Sequence, residues 1–212
     1  GSGIVNVYNA VKTKAYLYTD KDVEVNSKPK LNLYDDVGKT GKFEQSFHIK
    51  NISDESVSYK VSNTSLTETT ETVDGELVLG ETPKDVSSQV SMDIRVANGE
   101  YADDVITVAP GQDAVVTVAF SMNEELKKYY DDNFENGEFF EGFVAFQGAD
   151  ASLSIPYLGF YGDWTKAPLF DSGSVYDYDV YSQAPLAACS DEEYLGVNIF
   201  DGLTAELIYN SY

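Results

Sequence analysis

The stretch from Gly137 to Trp164, GEFFEGFVAFQGADASLSIPYLGFYGDW, most limits what this chain can fold into. In its first half Phe140, Gly142, Val144 and Phe146 fall on one side of an extended backbone. In its second half Leu153, Ile155 and Tyr157 share a side, against Ser152 and Ser154 on the other. Period-two alternation of this kind marks a half-buried strand, because successive strand side chains point to opposite faces. Gly148-Ala149-Asp150 supplies a turn between the halves. The block is too apolar for a surface loop and holds no acid–base constellation, so it predicts a β-sandwich rather than a chemistry.

The same pattern recurs upstream. Lys42 to Asn51 alternates Phe43, Phe47 and Ile49 against Glu44, Ser46, His48 and Lys50. Ser56 to Ser62 alternates again through Val57, Tyr59 and Val61, and NISDE between them reads as a turn, which predicts an antiparallel pair. Further strands are expected over Ala15–Thr19, a short edge at Leu31–Tyr34, Gln89–Val96, and Val105–Val108 with Ala114–Met122, the last two joined by a hairpin or corner at Pro110-Gly111. The threonine-rich excursion of 62–85 contains a small hairpin at Asp74-Gly75, flanked by Val73, Leu77 and Leu79. Asn123 to Asn133 is the one convincing helix, with Ser121 and Glu124 spaced as a capping box and Asn123 a rival cap. Ile4 to Lys12 is either a turn or two of helix or an extended lead-in. It is too short to stand alone. After Trp164 the alternation dissolves, leaving short apolar pieces at Tyr194–Phe200 and Leu203–Tyr209.

With 42% hydrophobic and 13% aromatic residues, the chain can bury a core without disulfides. None can form within it, since Cys189 is alone. Thirty-six acidic residues against 14 basic ones give a net charge of −22, and such a surface repels nucleic acid and anionic lipid. No apolar run is long enough to insert in a membrane, and no secretory leader is present. The abrupt Gly1-Ser2-Gly3 start reads as the beginning of a fragment, with any export signal lying upstream.

Catalytic motifs are missing. His48 is the only histidine, so a Ser-His-Asp or Cys-His arrangement would have to use it, and no G-x-S-x-G nucleophile motif accompanies it. Asp132 to Phe143 mimics an EF-hand loop only in its Gly137: positions three and twelve are Phe134 and Phe143, which cannot ligate calcium. A calcium site of another kind stays open among Asp20, Asp22, Asp35, Asp36, Asp177 and Asp179, against the plainer reading of a solvated acidic face. No cofactor is expected. Asn51-Ile52-Ser53 and Asn63-Thr64-Ser65 match the glycosylation sequon. Tyr157, Phe160, Tyr161 and Trp164 are the candidate contact residues, either a platform for sugar or peptide or the closure of one sandwich end against a neighbouring domain.

Four segments carry a family resemblance. GSGIVNVYNAV is similar to the end of a subtilase catalytic domain. FEQSFHIKNISDESVSYKVS, VITVAPGQDAVVTVAFSM and NGEFFEGFVAF with LSIPYLGFYGDW resemble the fibronectin-III-like domain that follows it in cell-envelope subtilisin-like serine proteases of Gram-positive bacteria, the lactocepin and complement-cleaving peptidase group. The resemblance covers residues 1–172 apart from the 62–85 excursion. It implies an all-β, immunoglobulin/fibronectin-III-like sandwich with one short helix and an irregular C-terminal extension. It divides the chain into 1–12 (protease tail or linker), 13–172 (sandwich) and 173–212 (extension toward a further domain). It implies no enzyme activity here, because the family's serine, histidine and aspartate precede the first segment. The implied role is to brace and space an upstream catalytic domain, at the cell surface or cell wall, with an exosite for protein substrate as a further element. The implied partners are that domain and a downstream one. The alternative is an adhesin-like module binding host protein or glycan through the tyrosine-rich surface.

Overall fold

The computed structural model describes residues 6–20, 29–166, 189–190, 193–200 and 204–209. Contacts divide the chain into two compact units, Gly1–Trp164 and Thr165–Tyr212.

The first unit begins with helix α1 (Val7–Lys12) and strands β1 (Ala15–Tyr18), β2 (Leu31–Asp35), β3 (Lys42–Asn51) and β4 (Val57–Thr67). The excursion supplies β5 (Thr70–Val73), β6 (Glu76–Leu79) and β7 (Lys84–Asp85), followed by β8 (Val90–Ala97), β9 (Glu100–Ala102), β10 (Val105–Val108) and β11 (Asp113–Met122). Helix α2 (Glu124–Asn133) leads to β12 (Glu138–Gln147) and β13 (Leu153–Tyr161). Two sheets face each other. One has the order β1-β3-β11-β8; the other has the order β2-β13-β12-β4-β10-β9, with β7 added beside β4. The described residues of the second unit include an antiparallel sheet of β14 (Cys189–Ser190), β15 (Glu193–Phe200) and β16 (Thr204–Tyr209), within the two apolar pieces of the tail and just before them.

The sandwich follows from the alternation. Phe43, Phe47, Ile49 on β3 and Val116, Val118, Phe120 on β11 are buried, and they face Phe140, Val144, Phe146 on β12 and Ile155, Tyr157 on β13. Rings meet across the gap: Phe43 on Phe140 at 5.2 Å, Phe47 on Phe146 at 5.7 Å, Phe120 on Tyr157 at 4.5 Å. Sheets packed this way interdigitate their inner faces into one core.

One expectation changes, and one open alternative is decided. β3 and β4 are not an antiparallel pair: β3 lies in the first sheet and β4 in the second. Of the two forms open at Pro110-Gly111, the structure has the corner, since β10 and β11 also lie in different sheets. Both connections are arches over the open end of the core. Asn51, itself fully buried, joins them. Its Nδ2 donates to the carbonyls of Glu55 (2.7 Å), Val108 (3.0 Å) and Ala109 (3.0 Å), and its Oδ1 accepts from the Ser53 N–H and hydroxyl. A glycan on that amide is incompatible with this burial.

Asn123, not Ser121, caps α2. Its side chain accepts from the Leu126 N–H at 2.9 Å, which satisfies a helix-end donor, while Ser121 still belongs to β11. The helix buries Leu126 and Tyr130, the latter against Tyr161 at 5.3 Å between ring centroids.

Candidate functional site

The outward face of the seven-stranded sheet is where the molecule departs from an ordinary sandwich. β12 and β13 pair with Phe139 opposite Phe160, Phe143 opposite Pro156, and Glu141 opposite Leu158. These residues alternate with the core set, so they stand on the solvent side. Three rings meet there edge to face or tilted: Phe139 with Phe160 at 5.3 Å, Phe139 with Trp164 at 5.2 Å, and Phe160 with Trp164 at 5.1 Å. Trp164 is 56% exposed, whereas Phe160 is covered by the other two rings.

The turn that carries Trp164 is fixed by the connection after β2. The Trp164 N–H donates to Asp35 Oδ2 at 3.0 Å, the Asp36 N–H to the Phe160 carbonyl at 2.7 Å, and the Gly162 N–H to the Asp36 carbonyl at 3.2 Å. Asp36 is held in turn by the Thr40 hydroxyl and the Gly41 N–H. Gly137 opposite has φ +100°, and a Cβ there would lie 2.6 Å from the Tyr161 carbonyl oxygen. Only glycine allows that close approach at such a φ.

A cleft of about 520 Å³ runs along the same face, lined by Asn32, Leu66, Glu141, Phe143, Pro156 and Leu158 among others. A shallower hollow of about 250 Å³ shares Glu141 and Leu158 with it and adds Glu68, Glu138 and Phe139. Burial pushes the Glu138 carboxyl up, partly offset by the Phe139 N–H that donates to it at 2.6 Å. The surface is therefore an apolar floor with an acidic border. It can bind.

The four expected contact residues do not share one face. Phe160 and Trp164 are together on the outside. Tyr157 and Tyr161 are buried on the core side. Tyr157 lies over Gly142, where a Cβ would be 2.5 Å from its oxygen, and its hydroxyl meets Ser65 Oγ at 2.7 Å and Asn63 Oδ1 at 3.1 Å. Burial raises its pKa, and burial likewise pushes Tyr161 up to about 12. Sequence reading missed Phe139 and Leu158. The available signal was that β12 and β13 carry large apolar residues on both faces, as a strand covered on two sides does.

His48 has both ring nitrogens engaged, Nδ1 with Asp113 at 3.1 Å and Nε2 with Asp20 at 3.2 Å, and it stacks on Tyr18 at 4.4 Å. Tyr18 also donates to Asp113 at 2.6 Å, which pushes its pKa up to about 12. Neither imidazole nitrogen is left to activate a hydroxyl or thiol. Of the calcium candidates, Asp20 belongs to this cluster, and Asp35 and Asp36 hold the Trp164 turn. Asp22, Asp177 and Asp179 lie outside the described residues. No cluster of three ligating side chains occurs among the described residues.

Comparison with known proteins places this geometry. The Fn3-like domain family matches residues 34–158. A PII-type proteinase of Lactococcus lactis subsp. cremoris is 37% identical over 68 residues, 32% of this chain and 3% of that protein, and a PII-type proteinase of Lacticaseibacillus paracasei matches to the same extent. The C5a peptidase of Streptococcus pyogenes serotype M1 is 30% identical over a 220-residue alignment that takes in 97% of this chain and 16% of the peptidase. The chain thus spans a small part of the relatives it matches. Its sandwich, with the matched span running from β2 to β13, belongs to the Fn3-like domain family.

Proposed function

We propose that this chain is an accessory domain of an exported subtilisin-like protease, without a catalytic role of its own, that braces the catalytic domain and spaces it from the cell wall. In this reading residues 1–12 are the tail of the protease domain, 13–172 the accessory domain, and 173–212 the way to a further domain. The observation that carries it is α1. The helix buries none of its residues, and Val7, Tyr8 and Val11 stand in solvent. A six-residue helix does not persist on propensity alone, so its apolar side needs a neighbour. The likeness to cell-envelope proteinases supports a protease domain as that neighbour.

Val11→Asp tests the brace. In the isolated chain it should change stability by no more than about 0.5 kcal/mol, as exposed substitutions do. In the parent protease it places a carboxylate in an apolar contact, and the half-life for thermal inactivation should fall about tenfold or more. An unchanged half-life in the parent sinks the bracing role.

The outer aromatic face supports a finer role, an exosite for protein substrate. Exposed tryptophan beside an apolar cleft is the composition of a binding hot spot. Trp164→Ala in the parent should raise KM for a folded protein substrate about tenfold and leave cleavage of a short peptide unchanged. Equal effects on both substrates, or none on either, remove the exosite.

A further inference from the structure

The strands of the ribbon of β5 and β6 pair only with each other. Its register is Thr70 with Leu79, Glu71 with Val78, Thr72 with Leu77 and Val73 with Glu76. Residues directly opposite share a face, so Leu77 and Leu79 lie on one side and Glu71, Val73 and Val78 on the other. Val73, Leu77, Val78 and Leu79 are 51%, 52%, 39% and 62% exposed. The base of the ribbon is fixed. Thr70 Oγ1 donates to Asn133 Oδ1 at 3.2 Å, the Gly80 N–H to the Thr69 carbonyl at 2.6 Å, and the Tyr129 hydroxyl to the Glu68 carbonyl at 2.9 Å. A two-stranded ribbon is marginal in water by itself, and this one presents apolar side chains on both faces.

Its edges are open as well. β5 and β6 form a two-stranded sheet, so each keeps one unpaired side. The Asp74-Gly75 turn has positive φ at both positions, 53° and 90°, the geometry of a tight two-residue hairpin. In such a hairpin the pair flanking the turn exchanges hydrogen bonds and alternate pairs do not. The N–H and C=O groups of Leu77 and Leu79 therefore point away from β5. Proteins usually blunt an edge of this kind with lysine, proline or a bulge. TETVDGELVL contains neither lysine nor proline. From Val61 to Pro83 there is no Lys or Arg, while Glu68, Glu71, Asp74, Glu76 and Glu81 all fall within it.

We propose that β6 is a docking edge for an extended basic segment of another protein, which joins the ribbon as a third strand. The incoming chain alternates apolar and basic side chains. Its apolar side continues the face of Leu77 and Leu79, its basic side meets the face that carries Glu71, and its backbone satisfies the open groups of β6. The inference stands apart from the bracing role, which uses α1.

The test uses the full chain and two decapeptides, one alternating lysine with valine, the other glutamate with valine. The lysine peptide should bind and protect the Leu77 and Leu79 amides from exchange, and the glutamate peptide should bind at least about tenfold more weakly. Leu77→Thr with Leu79→Thr keeps strand propensity and net charge, and should weaken the lysine peptide about tenfold or more. Glu71→Lys with Asp74→Lys leaves the apolar edge intact and should shift preference toward the glutamate peptide. Absence of binding, equal binding of both peptides, or lysine-peptide binding undiminished in the threonine variant overturns the proposal. The last of these would mark a diffuse attraction to the acidic surface.

Discussion

Phe140→Ala is expected to cost about 3–5 kcal/mol of folding stability, the range for truncating a fully buried aromatic. Phe140 has no exposed surface. It projects from β12 across the sandwich to Phe43 on β3 and Phe120 on β11, with ring centroids 5.2 and 5.8 Å away, and it has Tyr157 beside it at 5.2 Å. The cost exceeds the lost transfer free energy because the neighbours cannot close the hole. Tyr157 is held by Ser65 and Asn63, and Phe43 and Phe120 sit on central strands paired on both sides. A domain of this size has about 5–15 kcal/mol in hand, so the variant should unfold at a markedly lower urea concentration with an unchanged slope. Phe143→Ala, three residues on and on the outward face, is the control and should cost clearly less. A loss below about 1.5 kcal/mol for Phe140 would mean that the two sheets are not joined through these rings.

That inner face was readable before any coordinates. Phe140, Val144 and Phe146, and Phe43, Phe47 and Ile49, announce their common side by spacing alone, because a strand has only two faces. Which strand pairs with which was not readable. In a sandwich, β3 and β4 bury side chains into the same core whether they are hydrogen-bonded neighbours or lie in opposite sheets, and alternation is identical in both cases. At the sheet change the connection is held by hydrogen bonds of Asn51, in a segment, NISDE, that looks like any polar turn. The contact face was half legible. Spacing put Tyr157 on a strand, and the structure carries that strand on to Tyr161. The parity of positions then separates the residues: odd-numbered Tyr157 and Tyr161 go inward, while even-numbered Leu158 and Phe160 go outward. Grouping them by aromatic character rather than parity mixed core with surface. The ribbon of β5 and β6 was visible in outline from Asp74-Gly75. Its exposure was not, since a run such as Leu77-Val78-Leu79 is as apolar as a buried strand.

Asn51→Ala tests the sheet change directly and should cost about 2–3 kcal/mol. The side chain makes five hydrogen bonds: three to Ser53 and Glu55 in 52–56, which carries the chain from β3 to β4, one to Val108 at the end of β10, and one to Ala109 in 109–112, which carries it from β10 to β11. Backbone bonds lace the same two arches, from the Asn51 N–H to the Gln112 carbonyl at 3.0 Å and from the Gly111 N–H to the Ser53 carbonyl at 3.2 Å. Alanine takes one donor from the carbonyls of Glu55, Val108 and Ala109 and the acceptor from the Ser53 N–H, while the Ser53 hydroxyl still reaches the Glu55 carbonyl at 3.0 Å and the Gln112 N–H the Ala109 carbonyl at 3.1 Å. A polar group left short of a partner costs about 1–3 kcal/mol where it is buried, as at Val108, so a loss of about 2–3 kcal/mol is expected. Leucine at the same position should do no better, because the deficit lies in the lost hydrogen bonds and not in the volume. The loss should also be local in a way that a core cavity is not. Amides of 52–56 and 109–112 should lose exchange protection by more than the global destabilisation accounts for, while the centres of β12 and β13 follow the global change. Uniform loss of protection would show that the arches close without Asn51 and that the packed rings alone set which sheet each strand joins.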